Sequence, residues 1–192
     1  MIYKNKIFAE TEVKGKDFEG DSFIGCKFTN INLRFTNFVD VKFKVCDFSG
    51  SHFDLTTFTK CSFPESKLSD LDFCDAQIKE CDLGGAVVNN SIFQQFKDST
   101  KNIRKEFNLM DNKLENSDLS NSIFIKCNLK GVSFVNSNLS NTVFEKCNLE
   151  NADITHAEIT GIRFEDSKIQ NTKLDIDGFV KFGNSKGFVL SG

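Results

Sequence analysis

Along most of this chain an apolar residue falls at every fifth position. Stepping by five from Phe8 gives eighteen apolar residues in eighteen steps, ending at Phe93. From Leu114 to Leu174 the same step gives thirteen in thirteen, one register later. A period of five fits neither an amphipathic helix nor a half-buried strand. It marks an internal repeat, to be read before local structure. Composition sharpens the point. Of 22 Phe, sixteen sit on these positions, while the chain holds no Trp and one Tyr. One large buried slot, used many times, accounts for that bias.

A second slot lies two residues before each centre. It holds Cys26, Thr36, Cys46, Ser51, Thr56, Cys61 and Ser66, and later Ser117, Ser122, Cys127, Ser137, Thr142 and Cys147. These are small side chains suited to a tight interior. Polar exceptions are Lys6, Lys16, Asp21 and Asn112, near an end or near the interruption between the two registers. The remaining three positions of each five are mostly polar, as a solvated face requires. Cys26 and Cys46, Cys61 and Cys81, and Cys127 and Cys147 are each separated by four pentapeptides. Like residues at that interval imply a coil of four repeats whose rungs stack about 4.8 Å apart.

The repeat A(D/N)LXX, with CNLEN (147–151), ADITH (152–156) and SDLSN (117–121) as near-ideal copies, resembles the pentapeptide-repeat family over residues 6–175. The resemblance implies an all-β fold, a right-handed quadrilateral β-helix with one pentapeptide per side. One continuous domain is expected: a segment 1–93, an irregular insertion 94–113, a second segment 114–175 and a C-terminal cap 176–192.

Residues 93–114, FQQFKDSTKNIRKEFNLMDNKL, break the beat. The step from Phe93 to Leu114 is one coil plus one residue. Asp98 falls on a centre, and Lys101 and Phe107 on small slots, so the chain is expected to leave the coil and return. Ile103, Phe107 and Met110 have helical spacing. Residues 94–113 carry +2, against −3 for 1–93 and −4 for 114–177. Loops on rigid scaffolds often carry function, and Lys97, Asp98, Lys101, Arg104, Lys105 and Phe107 form the candidate partner-binding loop.

The tail DIDGFVKFGNSKGFVLSG leaves the code. A helical turn capped by Asp177 and ended by Gly183, then a short strand at Phe188–Leu190, is expected. Phe179, Val180, Phe182, Phe188, Val189 and Leu190 form a candidate dimer interface. The tail resembles that of the Qnr-type, MfpA-type and albicidin-resistance branch, whose ends form head-to-head dimers. Two outward pairs, Phe35 with Leu55 and Ile123 with Val143, are further candidate contacts.

Catalytic and metal chemistry have little support. No CxxC occurs, six of seven Cys fill the small slot, and His52 and His156 fall on outward positions in distant coils. The reading is a non-enzyme without cofactor or metal. Net charge is −3, which argues against direct nucleic-acid binding. The longest apolar runs are three residues, too short for a secretory signal or a membrane span, and unpaired cysteines suit the cytoplasm. The resemblance implies a protein partner, DNA gyrase or topoisomerase IV, bound by a partial DNA mimic that shields it from a quinolone or an albicidin-like toxin. The alternative is a rigid scaffold for another protein, without DNA mimicry.

Overall fold

The computed structural model describes residues 1–95, 97–98, 103–104 and 106–191, with the backbone alone at 97–98 and 103–104. The chain winds into a four-sided β-helix of about eight coils, roughly 38 Å long at about 4.8 Å per rung. Strands are short because each side holds only five residues. On one side β1 (Ile2–Lys4), β3 (Ser22–Ile24) and β5 (Lys42–Lys44) pair in parallel. On another lie β2 (Asp17–Glu19), β4 (Asn37–Val39), β6 (Thr57–Thr59) and β7 (Gln77–Lys79). A third carries β8 (Ile92–Phe93), β12 (Ile123–Ile125), β14 (Val143–Glu145) and β15 (Arg163–Glu165). Before the break, partners such as Ser22 and Lys42 are four pentapeptides apart, the coil length read from the cysteines.

The apolar comb is the core. Its members are buried from Phe8 to Ile159, and the rings stack rung on rung, Phe28 on Phe48 at 4.7 Å and 5°. The small slot is buried too, and its polar members bond within it. Ser66 Oγ donates to the Phe43 carbonyl at 2.8 Å and accepts from the Cys46 amide at 2.9 Å. A hydroxyl there joins two rungs, so no buried polar atom is left unpaired by it. The corners need φ near +60°, easy for Gly and Asn; even the β-branched Val45 is held there, at φ 56°.

Lys6 closes the first coil. Its ammonium lies 4.6 Å from the Phe8 ring centroid and 2.8 Å from Glu12, a residue of the short helix α1 (Glu10–Val13). A charge over an open solenoid end discourages another chain from stacking there.

The break differs from its expected form. Three ladders cross it, but with partners eleven residues further apart than on a regular coil: Asp82 with Lys113, Val87 with Asp118, and Ile92 with Ile123. Phe93 stacks on Phe124 at 4.5 Å and 2°. The insertion is therefore eleven residues, not one. None of the described residues between Ile103 and Met110 is helical. Instead β9 (Lys97–Asp98) and β10 (Ile103–Arg104) pair antiparallel, and β11 (Phe107–Asn108) rejoins the coil beside β13 (Cys127–Asn128).

The C-terminus differs as well. Helix α2 spans Ile176–Ser185, and its N-cap is Asp175, not Asp177. Asp175 Oδ1 accepts from the Gly178 amide at 2.7 Å. Gly183 lies inside the helix, and Phe188–Leu190 form no strand. The chain reverses through Gly187, at φ +87°, with the Phe188 amide donating to the Gly183 carbonyl at 3.0 Å. That is a glycine-terminated helix end.

Candidate partner-binding surfaces

Two places depart from a regular polar coil. The first is the break. On the β7 side the ladder does not cross it among the described residues: β7 ends one sheet and β11 ends another. The opening is a cleft of about 510 Å³, lined by Leu55, Asp75, Gln77–Lys79, Glu106–Asn108 and Met110–Asn112, among others. Two side chains bridge its margins. Asn112 Oδ1 accepts from the Cys81 amide at 2.8 Å, and its Nδ2 donates to the Ile78 carbonyl at 3.1 Å. Asn112 thus does with an amide what Ser66 does with a hydroxyl, over a longer reach. Gln95 Nε2 donates to the Ala76 carbonyl at 3.4 Å.

Of the candidate loop residues, Lys97, Asp98 and Arg104 lie on β9 and β10, and Lys101 and Lys105 lie outside the described residues. Phe107 is a correction. It occupies a small slot, yet it is buried, with its ring 6.3 Å from Phe93. The interrupted ladder makes room for a large ring where an intact rung would not. Its side chain therefore faces the core and not a partner.

The second place is α2 and the tail. Phe179, Phe188, Val189 and Leu190 are exposed, as is Ile176. Val180 and Phe182 are half-buried. Phe182 packs edge-on against Phe164 of the core at 5.8 Å, so it seats the helix on the last coil. A shallow cavity of about 210 Å³ lies between Phe179–Val180 and Phe188–Leu190. Gly178 is buried, and a Cβ there would lie 2.9 Å from Leu174 Cδ2. Close docking thus explains a weak helix former inside α2. Two side-chain clasps reinforce the seat. Asp175 Oδ2 accepts from the His156 amide at 2.7 Å and lies 3.1 Å from its Nδ1. Lys181 bridges Glu158 at 3.2 Å and Asp177 at 3.0 Å. The hydrogen bonds from the Gly178 and His156 amides hold the Asp175 carboxyl below its usual range. Those from Thr160, with Lys181, bring Glu158 to about 2.

Of the exposed apolar pairs, Phe35 and Leu55 stand on one corner, and the Arg34 guanidinium lies 4.8 Å from the Phe35 ring. Ile123 and Val143 pair in the β12–β14 ladder, but Val143 is buried and Ile123 half-buried. All seven Cys are buried free thiols. Burial pushes Cys46 up to about 12 and Cys127 well above the usual thiol range. Cys46 and Cys127 so held are poor nucleophiles. Among the described residues no group of three His, Cys, Asp or Glu is placed to hold a metal ion.

Two family models match the chain, pentapeptide repeats over 22–54 and a pentapeptide repeat region over 105–174, together more than half its length. The chain belongs to the pentapeptide-repeat family. No curated relative matches this pentapeptide-repeat protein at a significant level by sequence. Among solved structures, a trypsin-treated form of QnrB1, a plasmid-mediated fluoroquinolone resistance protein, aligns with a TM-score of 0.71. Identity is 17%, over 100% of this chain and 98% of that one. A second trypsin-treated form gives 0.62 at 16% identity, over 100% and 98%. Full-length QnrB1 gives 0.51 at 19%, over 97% of each chain. At such identities the likeness is one of fold, and it runs end to end.

Proposed function

We propose that this pentapeptide-repeat protein binds a type II topoisomerase, DNA gyrase or topoisomerase IV, on its DNA-binding surface and shields it from a poison such as a fluoroquinolone. The observation that carries the reading is the end-to-end match to QnrB1, a fluoroquinolone resistance protein. The rod acts as a binding body and not as an enzyme, in the cytoplasm where its target works. Mimicry of DNA is partial. A 38 Å length of duplex presents about 22 negative charges, whereas residues 1–93 and 114–177 together carry a formal −7. Shape and local patches do most of the work.

The exposed apolar face of α2 and the tail supports a homodimer joined through the C-termini. Light scattering should then give about twice 21.7 kDa, and Phe188→Glu should give monomer. A monomeric native protein would remove the dimer from the proposal. The main reading is tested by gyrase supercoiling in the presence of ciprofloxacin. Added protein should restore supercoiling in a dose-dependent way. Absence of both protection and inhibition, with gyrase and with topoisomerase IV, would favour a scaffold for a different protein.

A further inference from the structure

The cleft beside the break has a chemistry of its own. Its floor is apolar, with Ile78 and Phe107 buried, and Leu55 and Met110 are 42% and 38% exposed at its rim. Glu106 and Asp111 flank it, exposed, and carry no ion pair among the described residues. Lys79, the one cation among the described lining residues, lies 3.6 Å from the Glu80 carboxylate. The cleft thus joins an apolar rim to the Glu106 and Asp111 carboxylates, which have no cationic partner among the described residues.

We infer that this cleft receives an arginine side chain carried on an extended segment of the protein partner. The methylene stem of arginine packs on apolar side chains while its head stays with charge. The planar guanidinium is more weakly hydrated than an ammonium and meets carboxylates through a fork of donors. The partner follows from the proposed function, on which the inference rests: a surface built for DNA presents arginine and lysine to phosphates. The cleft would then take one such arginine by local charge, which a rod of modest net charge needs more than a uniformly acidic one would.

The chain has two methionines, Met1 at its N-terminal end and Met110 at the cleft rim. With ¹³C-methyl methionine, the full-length protein is titrated with the peptide acetyl-Leu-Arg-Leu-amide and with its citrulline isostere. The Met110 methyl resonance should move with the arginine peptide and the Met1 resonance should not. Citrulline, and the double variant Glu106→Gln/Asp111→Asn, should each weaken the response about fivefold or more. A Met110 resonance unmoved at millimolar peptide, or moved equally by citrulline, overturns the inference; the latter would mark an apolar groove alone. A second arm separates the two readings. If native protein binds gyrase and the double variant binds as tightly, the cleft inference fails while the proposed function stands. If the arginine peptide binds as described and gyrase does not, the cleft stands and the topoisomerase reading fails.

Discussion

The lengthened rung offset across the break makes Phe93 and Phe124 direct neighbours, and a double-mutant cycle can test it. Both rings are 0% exposed and stack at 4.5 Å. Phe93 also stacks on Phe73 at 4.5 Å, and Phe124 on Phe144 at 5.0 Å. Changing either ring to leucine keeps an apolar filler but removes flat stacking on both sides, at a cost of about 1–3 kcal/mol each. The pair shares one interface, so the double variant should lose less than the sum of the singles, by about 0.5–1.5 kcal/mol. Phe53 with Phe124 is the control. Phe73 and Phe93 stand between them in the stack, so their effects should add within about 0.5 kcal/mol. Urea unfolding followed by circular dichroism in the far ultraviolet reads all the variants, provided the transition remains cooperative. Additivity at Phe93/Phe124, together with coupling between Phe93 and another residue of the second register, would refute this stack and restore a one-residue insertion.

Three other groups give tests of their own. Asn112→Leu leaves the Cys81 amide and the Ile78 carbonyl without their bonds, and should cost about 1–3 kcal/mol in urea unfolding; an unchanged midpoint would mean that Asn112 is not the bridge. The clasps on α2 should weaken in acid. Asp175 and Glu158 have depressed folded pKa values, so their contribution is present above the unfolded values of 3.8 and 4.5 and is lost as pH falls through the folded ones, to about 2 for Glu158. The Gly178 amide proton should accordingly titrate with a midpoint below 3.8, and a midpoint at or above it would exclude the Asp175 cap. Finally, the native chain should react with Ellman's reagent far more slowly than the urea-unfolded chain, in which all seven thiols titrate. Rapid native reaction would contradict the burial of the small slot.

The sequence carries the regular part of this fold because each inward slot obeys a simple rule. A large apolar centre and a small partner leave few alternatives, and coil length shows in the cysteines. The break is harder to read for an arithmetical reason. A period of five registers an insertion only by its remainder, so one residue and eleven shift the comb alike. The pattern puts Phe107 outside because a large ring does not fit a small slot under an intact rung, and the local loss of one ladder leaves no trace in the spacing. The cleft arises from the same loss. At the C-terminus, Asp175 directly follows the last comb residue, Leu174, which is where a cap belongs. The short, glycine-containing segment after it has too little periodicity to show that a ten-residue helix begins there.

That three ladders cross the insertion means the covalent thread and the folded body part company at one place. The pieces on either side, 1–95 and 106–191, are joined by the Asp82–Lys113, Val87–Asp118 and Ile92–Ile123 bridges and by the Phe93–Phe124 stack. A chain cut between them would remain one object, and two separately made fragments have a template on which to reassemble. The protein is thus divisible: continuity of its backbone and continuity of its core are independent properties.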